Sequence, residues 1–144
     1  MGRSWAVFVG AMAAAGCSEP LVTIPGGELT GADRQPPDVW GDVPDTIQLE
    51  TRPADPYSIN IWGVGIGSEL YVATSGDGTT WTSFIENDRN VRVRIDGGLY
   101  RLQAALVEND GERGRVALAY SDKYEVDPHE GWVSEGMIFR LERP

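Results

Sequence analysis

Residues 91–108, "VRVRIDGGLYRLQAALVE", constrain the fold of this chain more tightly than any other stretch. In 91–95 apolar residues alternate strictly with arginine, the two-residue period of a strand with one buried face. "DGG" at 96–98 supplies the small residues of a tight turn, and 99–108 returns as the partner strand. Such a hairpin cannot shelter its own apolar face. The rest of the chain has to provide a second layer or close the sheet on itself.

More strands are legible on either side. "TIQLET" (46–51) sets Ile47 and Leu49 against polar neighbours. "YSINIWGV" (57–64) and "ELYVATS" (69–75) read as two strands joined by the short loop "GIGS", and "GMIFRLER" (136–143) reads as a last strand. The period changes twice. In "TTWTSFIEN" (79–87) Trp81, Phe84 and Ile85 fall at i, i+3 and i+4, one face of a short helix with Thr79 or Thr80 as N-cap. In 110–124 Val116, Ala119, Tyr120 and Tyr124 recur at helical spacing, with Gly114 weakening the start. The expected class is therefore mainly β: about six short antiparallel strands with two short helices, as a compact barrel or sandwich.

The first residues follow a different logic. Arg3 precedes the apolar run "WAVFVGAMAAAG" (5–16), the layout of a secretory signal. At ~1.5 Å rise per residue that run is too short for a ~30 Å hydrocarbon core. "AAGC" (14–17) sets small residues before Cys17, the only cysteine, and resembles the lipobox of bacterial lipoproteins. The resemblance implies that residues 1–16 are a lipoprotein signal peptide and that Cys17 becomes the acylated N-terminus, carrying palmitate-class chains. It further implies attachment to the membrane through that lipid. Ser18 in the next position implies the periplasmic face of the outer membrane, within the cell envelope. Residues 17–45 are rich in Pro and Gly and read as a linker, but "LVTIP" and Val39–Trp40 are too apolar for a pure spacer, so part of 21–45 is expected to dock on the 46–144 domain.

Charge removes several functions. With 22 acidic against 12 basic residues and a formal net charge of −10, the chain is a poor partner for nucleic acid or for a polybasic hold on lipid. One cysteine permits no internal disulfide. One histidine, His129 in the turn-like "DPHEGW", and one cysteine cannot complete a usual zinc site, so no metal is expected. There is no nucleophile elbow, and "GVGIGS" lies in a hairpin instead of opening a helix, so it is no dinucleotide fingerprint.

The stretch "TSGDGTTWTSFIEND" (74–88) is the candidate site. Hydroxyls, glycines and a helix start favour an anion, although the stretch itself holds no Lys or Arg. With "INIW" (59–62), "LYV" (70–72), the Thr51–Arg52 strand end and the Trp-led helix running into "VRVRI", the order of motifs over 46–124 resembles the FMN-binding split barrels. These include pyridoxamine-phosphate-oxidase-like proteins and deazaflavin-dependent nitroreductases. The resemblance implies a small antiparallel split β-barrel, a homodimer, and FMN or a deazaflavin held near Thr74, Ser75, Gly76 and Gly78, with Arg52 as the nearest cation. Trp81 and Trp62 are candidates to face a ring, but large aromatics in a domain this small are usually core. Gly63 and Gly65, inside a strand, mark close approach of a ligand or another backbone. Three functions are compatible with these residues: binding of a flavin-like small molecule, flavin- or deazaflavin-dependent oxidoreduction of the nitroreductase or quinone-reductase type, and a non-catalytic structural or interaction role.

Overall fold

A computed structural model describes residues 26–74, 78–127, 133 and 135–144; Cys17, Ser75, Gly76 and His129 lie outside them. The elements are β1 (Ala32–Asp33), β2 (Thr46–Thr51), β3 (Tyr57–Ile66), β4 (Glu69–Thr74), α1 (Thr80–Asn87), β5 (Asn90–Ile95), β6 (Gly98–Leu106), α2 (Asp110–Tyr124) and β7 (Met137–Glu142). Hydrogen bonding orders the strands β1-β6-β5-β2-β3-β4-β7, and β7 pairs back onto β6. Six antiparallel strands thus close into a barrel, and β1 is an extra parallel strand. β6 makes closure possible because one of its edges is shared, with Gly98–Leu99 taking β1 and Gln103–Leu106 taking β7.

Alternation decides what lies inside. Ile47 and Leu49, Leu70 and Val72, Val91 and Val93, Leu102 and Ala104, and Phe139 and Leu141 all point into one core, with Trp81 and Ile85 of α1 packed among them. The opposite face of β3, β4 and β7 is not left to solvent. Val64, Tyr71, Ala73 and Ile138 form a second cluster with Val116, Ala117 and Tyr120 of α2. Tyr120 is fully buried, and its hydroxyl donates to the Trp62 carbonyl at 3.0 Å. On α2 the buried face thus includes Ala117, with Ala119 only half-buried. Tyr124 stacks flat on Trp62, ring centroids 4.4 Å apart and planes at 4°.

The β3–β4 connection is tighter than "GIGS" suggests. β3 continues to Ile66, leaving Gly67–Ser68 as the turn, with Gly67 at φ +59. Helix α2 is capped by Asn109, whose side chain accepts the Glu112 N–H at 2.9 Å. An Asn109→Ala variant is expected to lose ~1 kcal/mol, read as a lower urea midpoint at unchanged slope.

Residues 26–45 form a strap across the outside of the barrel. Gly26 and Ser58 exchange backbone hydrogen bonds at 2.7 and 2.9 Å. The Leu29 N–H donates to Glu50 at 2.7 Å, Ala32 N–H to Gly97 at 3.0 Å, and Arg34 N–H to Leu99 at 2.9 Å. Trp40 then turns into the core, edge-on to Tyr100 at 5.2 Å, while its N–H donates to the Gly67 carbonyl at 2.8 Å. Lys123 of α2 fastens the far end, donating to the carbonyls of Pro44 and Gly63 at 2.9 and 2.7 Å. A Cβ on Gly65 would stand 2.7 Å from both the Cβ and the carbonyl oxygen of Trp40. The close approach at Gly65 is therefore the strap's backbone, and at Gly63 it is the Ile47 side chain, 2.8 Å from an added Cβ.

Candidate functional site

Thr74 ends β4 opposite Met137 and is 8% exposed. Gly78 sits at φ +114, a backbone conformation that glycine adopts without strain. A Cβ there would lie 2.6 Å from Thr82 Oγ1 and 2.9 Å from Met137 Sδ, so the protein's own packing accounts for this glycine. Thr79 is the N-cap of α1, and its N–H donates to Thr82 Oγ1 at 2.9 Å. The buried face of α1 is Trp81, Thr82 and Ile85. The Trp81 ring lies in the barrel core, 5% exposed and tilted against Phe139 at 5.6 Å.

Phe84 leaves that face and meets Tyr57 edge-on at 5.2 Å. Arg52 joins the same corner from β2. It has φ +54, its guanidinium lies 3.9 Å over the Phe84 ring, and it donates to the Asp55 carbonyl at 2.7 Å, with the Asp55 carboxylate 3.3 Å away. The structure thus gathers Thr74, Gly78 and Trp81 at the start of α1 and sets Arg52 further along the helix, engaged by Asp55 and Phe84. Ser75 and Gly76 fall outside the described residues.

Sequence reasoning missed the concave surface beside this corner. A cavity of about 640 Å³ lies among the turn after Arg52 (Pro53, Ala54), Asp88 of the α1–β5 loop, and Glu50, Asn90, Arg92 and Arg101 on β2, β5 and β6. Its charged lining is Glu28 of the strap, Glu50 and Asp88 against Arg92 and Arg101. The alternation of "VRVRI" already set Arg92 and Arg94 on one face. The strap that turns this face into a wall carries no such signal.

Electrostatics here centre on one buried pair. Glu50 is 1% exposed and receives Arg92 Nε at 2.7 Å and Nη2 at 2.8 Å. Burial pushes the Glu50 carboxyl up, but the Arg92 guanidinium and the Leu29 N–H outweigh it and hold the group below the ordinary value of 4.5. A second network joins α2 to β4 and β7. Tyr71 donates to Glu112 at 2.7 Å, and Arg140 donates to Glu112 at 2.6 Å and to Glu142 at 2.7 Å. Burial and the Glu112 carboxylate push the Tyr71 hydroxyl up to about 12. These groups satisfy one another, which suits a structural tie better than proton transfer. Among the described residues no cluster of three or more His, Cys, Asp or Glu is placed to hold a metal ion.

No family model matches the chain, and no curated protein matches it in sequence. Solved structures do. A candidate pyridoxamine 5′-phosphate oxidase from Listeria innocua is similar at TM-score 0.51 and 16% identity, over 67% of this chain and 82% of that one. A FAD-binding protein from Mesorhizobium loti is similar at TM-score 0.54 and 13% identity, over 70% of this chain and 82% of that one. A conserved protein, Rv2991, from Mycobacterium tuberculosis gives TM-score 0.59 at 17% identity, over 76% and 85% of the two chains. At these identities the likeness establishes a shared fold, the split barrel of pyridoxamine-phosphate-oxidase-like proteins.

Proposed function

We propose that this chain is an envelope lipoprotein, acylated on Cys17 after removal of residues 1–16, whose split barrel binds a flavin-like small molecule. The observation that carries the binding proposal is the barrel itself, shared with a FAD-binding protein, together with a cavity of about 640 Å³ lined by Pro53 and Ala54, the residues after Arg52. That volume is within the ~300–1,000 Å³ usual for ligand pockets. By the resemblance Thr74, Ser75, Gly76 and Gly78 would face the phosphate, but Thr74 and Gly78 do not line this cavity; its lining cations are Arg101 and Arg92, the latter paired with Glu50, and Arg52 directly precedes Pro53 on its wall. Arg52 is already paired with Asp55, but both groups are exposed, at 37% and 81% of their side chains. Exposed pairs contribute ~0–1 kcal/mol, so a phosphate dianion can displace the carboxylate.

The support is therefore one of fold and of cavity size, because three lining carboxylates (Glu28, Glu50 and Asp88) outnumber the two arginines, and it names no reaction. A flavin bound here would supply hydride or electron transfer, and the chain's own residues would position and shield it. The test is fluorescence quenching of FMN by residues 18–144 purified without the anchor. Saturable binding at micromolar FMN, weakened roughly tenfold in Arg52→Ala by loss of a charge-assisted contact, is the expected result. No quenching even at millimolar FMN would leave the non-catalytic lipoprotein role. Acylation is checked separately by the mass of the mature N-terminus, with a Cys17→Ser form expected to lose the lipid and leave the membrane fraction.

A further inference from the structure

We propose that a second cleft, between the strap and the end of β7, is a phosphate-binding site formed by Arg34, Arg101 and Arg143. The cleft has a volume of about 560 Å³, and these three arginines line it together with Asp33, Gln35 and Leu99. In a chain with 22 acidic and 12 basic residues, arginines ordinarily find carboxylates. Among the described residues the guanidinium groups of Arg34 and Arg101 have no hydrogen-bonding or ion-pair partner.

The register explains why Arg101 stands out. It lies directly opposite Arg92 on the β5–β6 ladder, and like charges so placed repel. Arg92 is neutralised by Glu50 at 2.7 Å, with Glu28 at 3.7 Å, whereas Arg101 has no such counter-charge among the described residues. Arg34 is held in place by the bare backbone of Gly98. A Cβ on Gly98 would stand 2.7 Å from Arg34 Cδ and 3.3 Å from Cζ, so the arm is packed against the strand before any ligand arrives. That arrangement lowers the ordering cost of binding. Arg143 donates to the Pro37 carbonyl and has Asp38 at 3.8 Å, an exposed pair that a stronger anion can displace.

Planar guanidiniums arranged around one cleft suit a tetrahedral anion with several acceptor oxygens, which can bond more than one of them at once. A single carboxylate would satisfy fewer. The shared ligand chemistry is thus a phosphate group, free on a small molecule or carried by a lipid headgroup. Asp33 in the same wall opposes the anion and makes its binding sensitive to salt. Arg101 lines both this cleft and the larger cavity, whereas Arg34 lines only this one, so the Arg34→Gln variant separates this proposal from the flavin reading.

The test is a titration of the arginine Nε–H signals of residues 18–144 with inorganic phosphate at low ionic strength. Saturable shifts of Arg34 and Arg101 are expected. Arg34→Gln and Arg101→Gln should each weaken binding ~10-fold or more, the size expected for one lost charge-assisted hydrogen bond. Asp33→Asn should tighten it several-fold, which a merely structural role for the cluster would not produce. Non-saturating shifts, or an affinity unchanged in both arginine variants, would overturn the proposal. Co-sedimentation with phosphatidylglycerol vesicles, abolished by Arg34→Gln, would assign the phosphate to a lipid, and its absence alongside saturable phosphate binding would assign a soluble ligand.

Discussion

Arg92→Ala is expected to cost ~3–5 kcal/mol of folding stability, the usual consequence of leaving one partner of a buried ion pair uncompensated. Glu50 is the reason: its side chain is 1% exposed, and that of Arg92 only 17%. The guanidinium makes two bonds to the carboxylate and a third, at 3.0 Å, to the Leu29 carbonyl. Removing it leaves a buried carboxylate with the Leu29 N–H as its remaining partner, and it releases the strap from β5 at the same time. Equilibrium denaturation measures the loss. The double variant Glu50→Leu/Arg92→Leu should regain most of it, because apolar residues of similar volume commonly replace such pairs without penalty. A loss below ~1 kcal/mol in Arg92→Ala would mean that water reaches Glu50, and the account of the strap as a seal would fail.

The same pair sets a pH limb. Glu50 has its folded pKa lowered from 4.5, and so has Glu112, held chiefly by its bond from Arg140 against the effect of burial. A lowered carboxyl contributes stability that is present above the unfolded value and is lost as pH falls through the folded one. Unfolding midpoints should therefore hold from neutrality to about pH 5 and drop below it, and the drop should shrink in the Glu50→Leu/Arg92→Leu variant. Tyr71 acts at the opposite extreme. Its pKa is raised from 10.0 to about 12, so the stabilisation it brings is complete below 10 and fades as pH rises through about 12.

How much of this was legible depends on whether a residue's environment is local. Val91, Val93, Ile47 and Leu49 follow the pleat, so their burial could be read from spacing alone. The α2 span of 110–124 was also readable from its helical period, whereas its Asn109 cap emerges from the structure. Glu50 was not. Its alternation marks it as outward-facing, and its burial comes with partners far away in the chain: the Leu29 N–H, 21 residues earlier, and Arg92, 42 residues later. The apolar Val39–Trp40 pair signalled that part of 21–45 docks, but the strap's course was not readable for a related reason: it is set by backbone bonds and two anchors, Leu29 and Trp40, spaced by Pro and Gly without a period. At the candidate site the Thr74–Gly78 turn was visible as turn chemistry. The left-handed backbone of Arg52, its hold on Asp55, and the cavity wall of Arg92 and Arg101 emerge only when distant elements meet.

Trp40→Ala should be the most damaging change in the strap, at ~3–5 kcal/mol, typical of an aromatic deleted from a core. The ring is 7% exposed and belongs to the same cluster as the barrel interior, so its loss opens a cavity at the end of the barrel beside the β3–β4 turn. Amide exchange separates this from simple detachment of a surface segment. The amides of Ala32, Arg34 and Trp40 are bonded to Gly97, Leu99 and Gly67. If the strap is integral, they should exchange through the same global opening as β5 in the wild type, and Trp40→Ala should lower protection of both. If the strap is only laid on, those three amides alone would lose protection and the denaturation midpoint would barely move. Gly65→Ala probes the contact from the barrel side. Its new methyl would stand 2.7 Å from the Trp40 backbone oxygen, so it cannot be relieved by a side-chain rotation and should cost ~1–3 kcal/mol as overpacking. In the Trp40→Ala background the strap can lift away, and the added cost of Gly65→Ala should fall by at least ~0.5 kcal/mol, the coupling expected of two groups in direct contact.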